Sequence, residues 1–108
     1  MGDERGFQMG VVVTRTGWSV PGKQGEAVAF AEKRSALINE KYGGNSRIMV
    51  RIGGPVGEIV MVSHFDSLAD FEKGKRAVVK DTIAGKFPTA PDGVFARVEE
   101  AIWLEKSD

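Results

Sequence analysis

The chain has no cysteine and a single histidine, His64, among its 108 residues. The first absence removes disulfides, thiolate metal sites and cysteine nucleophiles together, and it suits a reducing cytosol. With one imidazole, metal binding would fall to carboxylates such as Asp66, Asp70, Glu99 and Glu100, which lack the ligand spacing of a zinc site. Neither a metal nor a cofactor is expected. Net charge is absent too: 15 basic residues balance 15 acidic ones, whereas nucleic-acid binding draws on a surplus of Lys and Arg. No apolar run approaches the ~20 residues that cross a bilayer. The opening "MGDERGFQMG" is charged and has no apolar core of signal-peptide length. A cytoplasmic protein with neither a nucleic-acid nor a membrane partner is expected. "GGPVG", Gly53 to Gly57, is no phosphate loop, since the Lys-Ser/Thr pair is missing and a strand follows.

What is present is an ordinary globular composition, 42% hydrophobic and 28% charged. The length fits one domain over residues 1–108, with a core that removes about two-thirds of the unfolded surface from water. Phe7 to Val20, rich in Val, Thr and aromatic residues, reads as a strand ended by Pro21-Gly22. From Gln24 to Tyr42, Ala27, Phe30, Ala31, Leu37, Ile38 and Tyr42 recur at helical spacing, and Gly43-Gly44 stops the helix. Ile48, Val50 and Ile52 then alternate with Arg47, Met49 and Arg51, which predicts a second strand turning the latter set away from the helices. "GGPVG" links it to a third strand, Glu58 to Phe65, as a hairpin.

Ser67 caps a second helix, expected from Leu68 to about Ala84 with Leu68, Phe71, Val78 and Thr82 facing inward. Gly74 in its middle costs about 1 kcal/mol against alanine, and a close approach to the sheet would explain it. Val94 to Leu104 is the last strand, with a bulge expected at Glu99–Glu100 where the alternation slips. The order is βαββαβ, a split βαβ repeat. It predicts an α+β, ferredoxin-like fold with a four-stranded antiparallel sheet and both helices on one face. Both parities of the third strand are apolar, so a second copy of the sheet is expected to cover the open face in a homodimer.

Three stretches carry a family resemblance: "VPGKQGEAVAF" (Val20 to Phe30), "VSHFDSLADFE" (Val62 to Glu72) and the closing "EEAIWLE" (Glu99 to Glu105). With the duplicated element order, the chain resembles the dimeric α/β-barrel superfamily, and within it the NIPSNAP-like and stress-responsive barrel domains. The resemblance implies a homodimer closing into a barrel and a ligand cavity inside the sheet. It also implies relatives as diverse as cofactor-free oxygenases, haem degraders and proteins without assigned activity. Oxygenases and haem degraders of this kind combine Asn, Trp and His in the cavity. Here Asn39 and Asn45 fall late in the first helix and just after it, not on a strand.

Five residues are candidates for a site. Histidine is the side-chain type suited to moving a proton at cellular pH, which makes His64 a candidate; the plainer reading is a strand-end histidine bonded to a loop carbonyl. Arg47 and Arg51 share a strand face with Met49 between them, and guanidinium groups clamp oxyanions. They serve equally as solvated charges guarding an edge strand, and Arg15 and Arg97 have the same two readings. Trp18 is a candidate to stack on a flat ligand, whereas Trp103 fits a dimer seam. The readings are binding, with or without transformation, of a small apolar or aromatic metabolite; a cofactor-free monooxygenase-like enzyme; or a non-catalytic dimerisation module.

Overall fold

The period-two segments become strands and the period-3.6 segments helices. The computed structural model describes residues 10–54 and 56–106. The elements are β1 (Val11–Ser19), α1 (Gln24–Lys41), β2 (Ser46–Val50), β3 (Glu58–Phe65), α2 (Leu68–Ile83) and β4 (Phe95–Leu104). The first nine residues, and with them the expected start of the first strand at Phe7, lie outside the described residues, as does Pro55 in the hairpin link. The sheet order is β2-β3-β1-β4, every neighbour antiparallel. This is the α+β ferredoxin-like arrangement that the element order predicts.

Residues opposite one another across antiparallel strands share a face. Val11, Val13, Arg15 and Gly17 lie opposite Phe65, Ser63, Met61 and Ile59 of β3, and opposite Leu104, Ile102, Glu100 and Val98 of β4. This set faces the helices. Val11, Val13 and Phe71 form one buried cluster with Phe65 against it, and Ala27, Ile59 and Val94 form another. Gly17 has a packing reason: a Cβ there would lie 2.7 Å from the Phe95 ring, which crosses β1 and meets Phe30 edge-on at 6.0 Å.

Side chains fix the helix positions. Ser67 Oγ accepts from the Asp70 amide at 3.1 Å, the expected N-cap. Asn39, near the end of α1, holds the start of β2: its Oδ1 accepts from the Ser46 amide (2.8 Å) and its Nδ2 donates to the Ser46 carbonyl (2.9 Å). Ser35 and Ser46 share a buried hydroxyl contact at 2.8 Å.

Four expectations are corrected. Leu68 is 46% exposed, because the turn at Asp66–Ser67 has not yet returned the chain over the core; Phe71, one turn later, is the first α2 residue to reach it. Ile52 lies beyond the end of β2 and is fully exposed. The bulge falls at Ala96, which is skipped between the pairs Trp18–Arg97 and Ser19–Phe95, while pairing through Glu99 and Glu100 is unbroken. The alternation looked broken there because Glu100 occupies a helix-side position, where Arg15 and Lys75 pair with it. Finally, a Cβ on Gly74 would meet Phe65 at an ordinary 3.7 Å, so no close approach demands glycine. Gly74→Ala is therefore expected to raise stability by up to about 1 kcal/mol through helix propensity, read as a higher urea midpoint.

Candidate functional site

The sheet has two working faces, and the residues singled out in the sequence lie on the one without helices. From one strand end to the other, its rungs begin with His64, Val12 and Trp103, and pass through Arg47, Val62, Thr14 and Ala101. Met49, Val60, Thr16 and Glu99 follow, and Glu58, Trp18 and Arg97 close the face. Arg51 joins the last rung, its amide donating to the Glu58 carbonyl at 3.1 Å. The face assignment of Arg47, Met49 and Arg51 is as expected, with both arginines at the β2 edge.

These residues do not converge. His64 and the Arg51–Trp18 rung lie at opposite ends of the face, six residues apart along β3, which is about 20 Å at ~3.3 Å per residue. One small ligand does not span His64 and Arg51. Arg51 is also engaged: its guanidinium donates to Glu58 Oε1 (2.7 Å) and to the Gly53 carbonyl (2.6 Å). Arg97 lies over the Trp18 ring, 3.9 Å from its centroid, and pairs with Glu99 at 3.2 Å. Trp103 is 59% exposed and its indole N–H donates to Thr14 Oγ1 at 3.2 Å. Arg47 and His64 are exposed; the His64 amide donates to the Asn45 carbonyl at 3.0 Å. His64 also borders an open groove of about 1000 Å³ at that end of the sheet, shared with Asn45, Asp66, Asp70 and Lys73. Among the described residues no group of three or more His, Asp or Glu is placed to hold a metal ion.

The more enclosed space is on the other face. The one buried residue of α2 is Phe71, near its start, and between the two helices and the sheet lies a hollow of two lobes. One, of about 230 Å³, is walled by Phe30, Ile59, Phe95 and Val98; the other, of about 280 Å³, by Val13, Phe65, Phe71 and Val78. Arg15, Arg34, Met61 and Thr82 border both. Sequence reasoning passed over Arg34, and weighed Arg15 as an oxyanion clamp or a solvated charge but not as a residue of the helix side. The signal was there: Arg34 falls between Phe30 and Ile38 at four-residue spacing on the inner stripe of α1, and Arg15 has the inward parity of Val11 and Val13.

Electrostatics set this hollow apart. Arg34 Nε is buried without a hydrogen-bond partner among the described residues, and the guanidinium lies 4.7 Å from the centroid of Phe87. Burial, and then the charge of Arg15, pull the Arg34 pKa below its ordinary value, down to about 10, with Glu100 opposing. Arg34 is still charged at neutral pH, but at a cost. At the rim, the Tyr42 hydroxyl donates to Asp81 Oδ2 at 2.5 Å, and this bond raises the phenol pKa above its ordinary value.

Comparison with known proteins bears on the fold. A NIPSNAP family protein from Agrobacterium tumefaciens superposes with a TM-score of 0.71, covering 88% of this chain and 91% of its own, at 20% identity. The chain has the NIPSNAP-like fold. An uncharacterized NIPSNAP domain protein from Burkholderia xenovorans superposes at 0.72 over 90% of this chain and 95% of its own, at 15% identity. A second Agrobacterium tumefaciens protein, a NIPSNAP family protein with unknown function, gives 0.70 over 90% and 87%, at 20% identity. No protein-family model and no curated protein matches the chain. The NIPSNAP-like architecture is therefore shared at identities that carry fold and leave the chemistry to this chain's own residues. Among the described residues, no helix of this NIPSNAP-like fold is long and apolar enough to cross a membrane.

Proposed function

We propose that the protein is a cytoplasmic homodimer that binds a small apolar or aromatic metabolite in the hollow between its helices and its sheet. The observation that carries the binding reading is the pair of lobes lined mainly by Phe, Ile, Val and Met side chains with a few polar groups between them. Small-molecule sites combine apolar walls with a few placed polar groups in this way. The homodimer reading is supported by the open sheet face, where Val12, Val60 and Val62 occupy the two central strands and the charged residues stand mainly toward the corners. Two such faces packed together would remove from water the half-buried Val12 and Val60 of both copies; Val62 is already buried in one chain. His64 borders neither lobe, which favours binding over proton transfer to a ligand held there.

Native mass spectrometry of gently purified protein tests both parts. A dimer that retains a small molecule, or that takes up benzene when supplied, is the expected result. A monomer at micromolar concentration overturns the dimer, and a protein that neither retains nor takes up an apolar molecule overturns the ligand site.

A further inference from the structure

Among the described residues three cations, Arg15, Arg34 and Lys75, border the hollow between the helices and the sheet, and Glu100 is the one carboxylate that does. Lys75 Nζ is the nearer partner of Glu100, and Arg15 reaches the other oxygen only at 3.5 Å. Arg34 has no carboxylate partner among the described residues. We propose that the hollow takes a small carboxylate with an apolar body, its carboxylate held between Arg34 of α1 and Arg15 of β1 and its body lying between Phe30 and Phe95. The inference rests on the reading of the hollow as a ligand site and names the chemical class of the ligand.

Two positive charges are in excess; Arg15 and Lys75 keep part of their side chains in water, but Arg34 has a buried, unpartnered Nε, and a buried charge is tolerated when it is paired. The burial and the Arg15 repulsion that depress the Arg34 pKa are both offset by the attraction of one anion placed between the guanidinium groups. A guanidinium fork matches a carboxylate in bidentate geometry. A phosphate group would bring further oxygens, and the rest of the lining is largely apolar. Thr82 offers no free proton either, since its hydroxyl donates to the Val78 carbonyl at 2.7 Å. A dry cavity of about 150 Å³ holds benzene, so the lobe of about 230 Å³ walled by Phe30 and Phe95 accepts one ring or a short alkyl chain. Glu100 borders only the other lobe, which places the body of an anionic ligand away from it.

The test is calorimetric titration of the full chain with octanoate and with 1-octanol, which share a chain and differ in the anionic head. Wild type is expected to bind octanoate at least tenfold more tightly than octanol. Arg34→Met is expected to erase that preference while leaving octanol binding in place. Without ligand it should melt no lower than wild type, because it removes a partly buried charge that forms no ion pair among the described residues. Arg15→Met provides a second variant, expected to weaken octanoate at least tenfold, should Arg34→Met fail to fold. Equal binding of octanoate and octanol by wild type overturns the carboxylate inference and leaves the hollow as an apolar site. Unchanged octanoate binding in either arginine variant overturns it as well. Binding of neither probe overturns the reading of the hollow itself, and the inference with it.

Discussion

Phe71→Ala is expected to lower the free energy of unfolding by about 3–5 kcal/mol, the usual cost of deleting a buried phenylalanine side chain. The size follows from how α2 is held. Phe71 is the one α2 residue that is buried; it packs on Val11 and Val13 and meets the Phe65 ring edge-on with centroids 5.4 Å apart. Further along α2, Val79 is 46% and Ile83 83% exposed, although both border the larger lobe. The buried apolar anchor of the helix is therefore near one end, polar ties from Lys75 and Asp81 hold it further along, and most of it stands over the hollow. A domain with about 5–15 kcal/mol in total has little margin for such a loss. Amide hydrogen exchange should show α2 losing protection before the sheet does, because local opening follows the elements with fewest buried contacts. Phe71→Leu keeps much of the apolar volume and is expected to cost less than half as much. A wild-type urea midpoint for Phe71→Ala would mean that α2 is anchored elsewhere.

The same anchoring explains what the sequence made legible and what it did not. Parity is local, so the alternation of Ile48 and Val50 with Arg47 and Met49 was enough to orient β2, and Ser67 with Asp70 was enough to start α2. Distance along a face is not visible in parity. His64 and Arg51 belong to one face, but they stand at opposite ends of it, and only the strand register separates them. Charge also misled: Arg15 and Arg34 hold inward positions by spacing, yet a charged residue reads as solvent-facing unless its partners are known. Glu100 was misread for the same reason, since its partners Arg15 and Lys75 come from β1 and α2. Asn39, absent from the oxygenase-like pattern, turns out to bind the first residue of β2, a contact set by tertiary folding. The hollow itself is a property of how two helices rest on a sheet, and no motif announces it.

Val60→Lys is expected to convert the proposed homodimer into a monomer, with an apparent dissociation constant raised at least about 1000-fold, or about 4 kcal/mol at ~1.4 kcal/mol per tenfold change. Val60 lies on β3 between Met49 of β2 and Thr16 of β1, near the middle of the open face. In a twofold packing of face on face, a central residue meets its own copy or that copy's neighbours. Two ammonium groups would then be brought together out of water, where desolvation and like-charge repulsion add. In a single protomer the same lysine extends into solvent from a half-buried position, so the fold is expected to survive. Val60→Thr, which changes shape little and adds no charge, is expected to remain a dimer. Sedimentation velocity at micromolar concentration reads the assembly, and tryptophan emission reads the surface. Trp103, 59% exposed in one chain, is expected to shift to longer wavelength in Val60→Lys as the opposing sheet is lost. A variant that still sediments as a dimer would place the interface elsewhere, most directly on the exposed Ile102, Leu104, Val79 and Ile83 of the helix side.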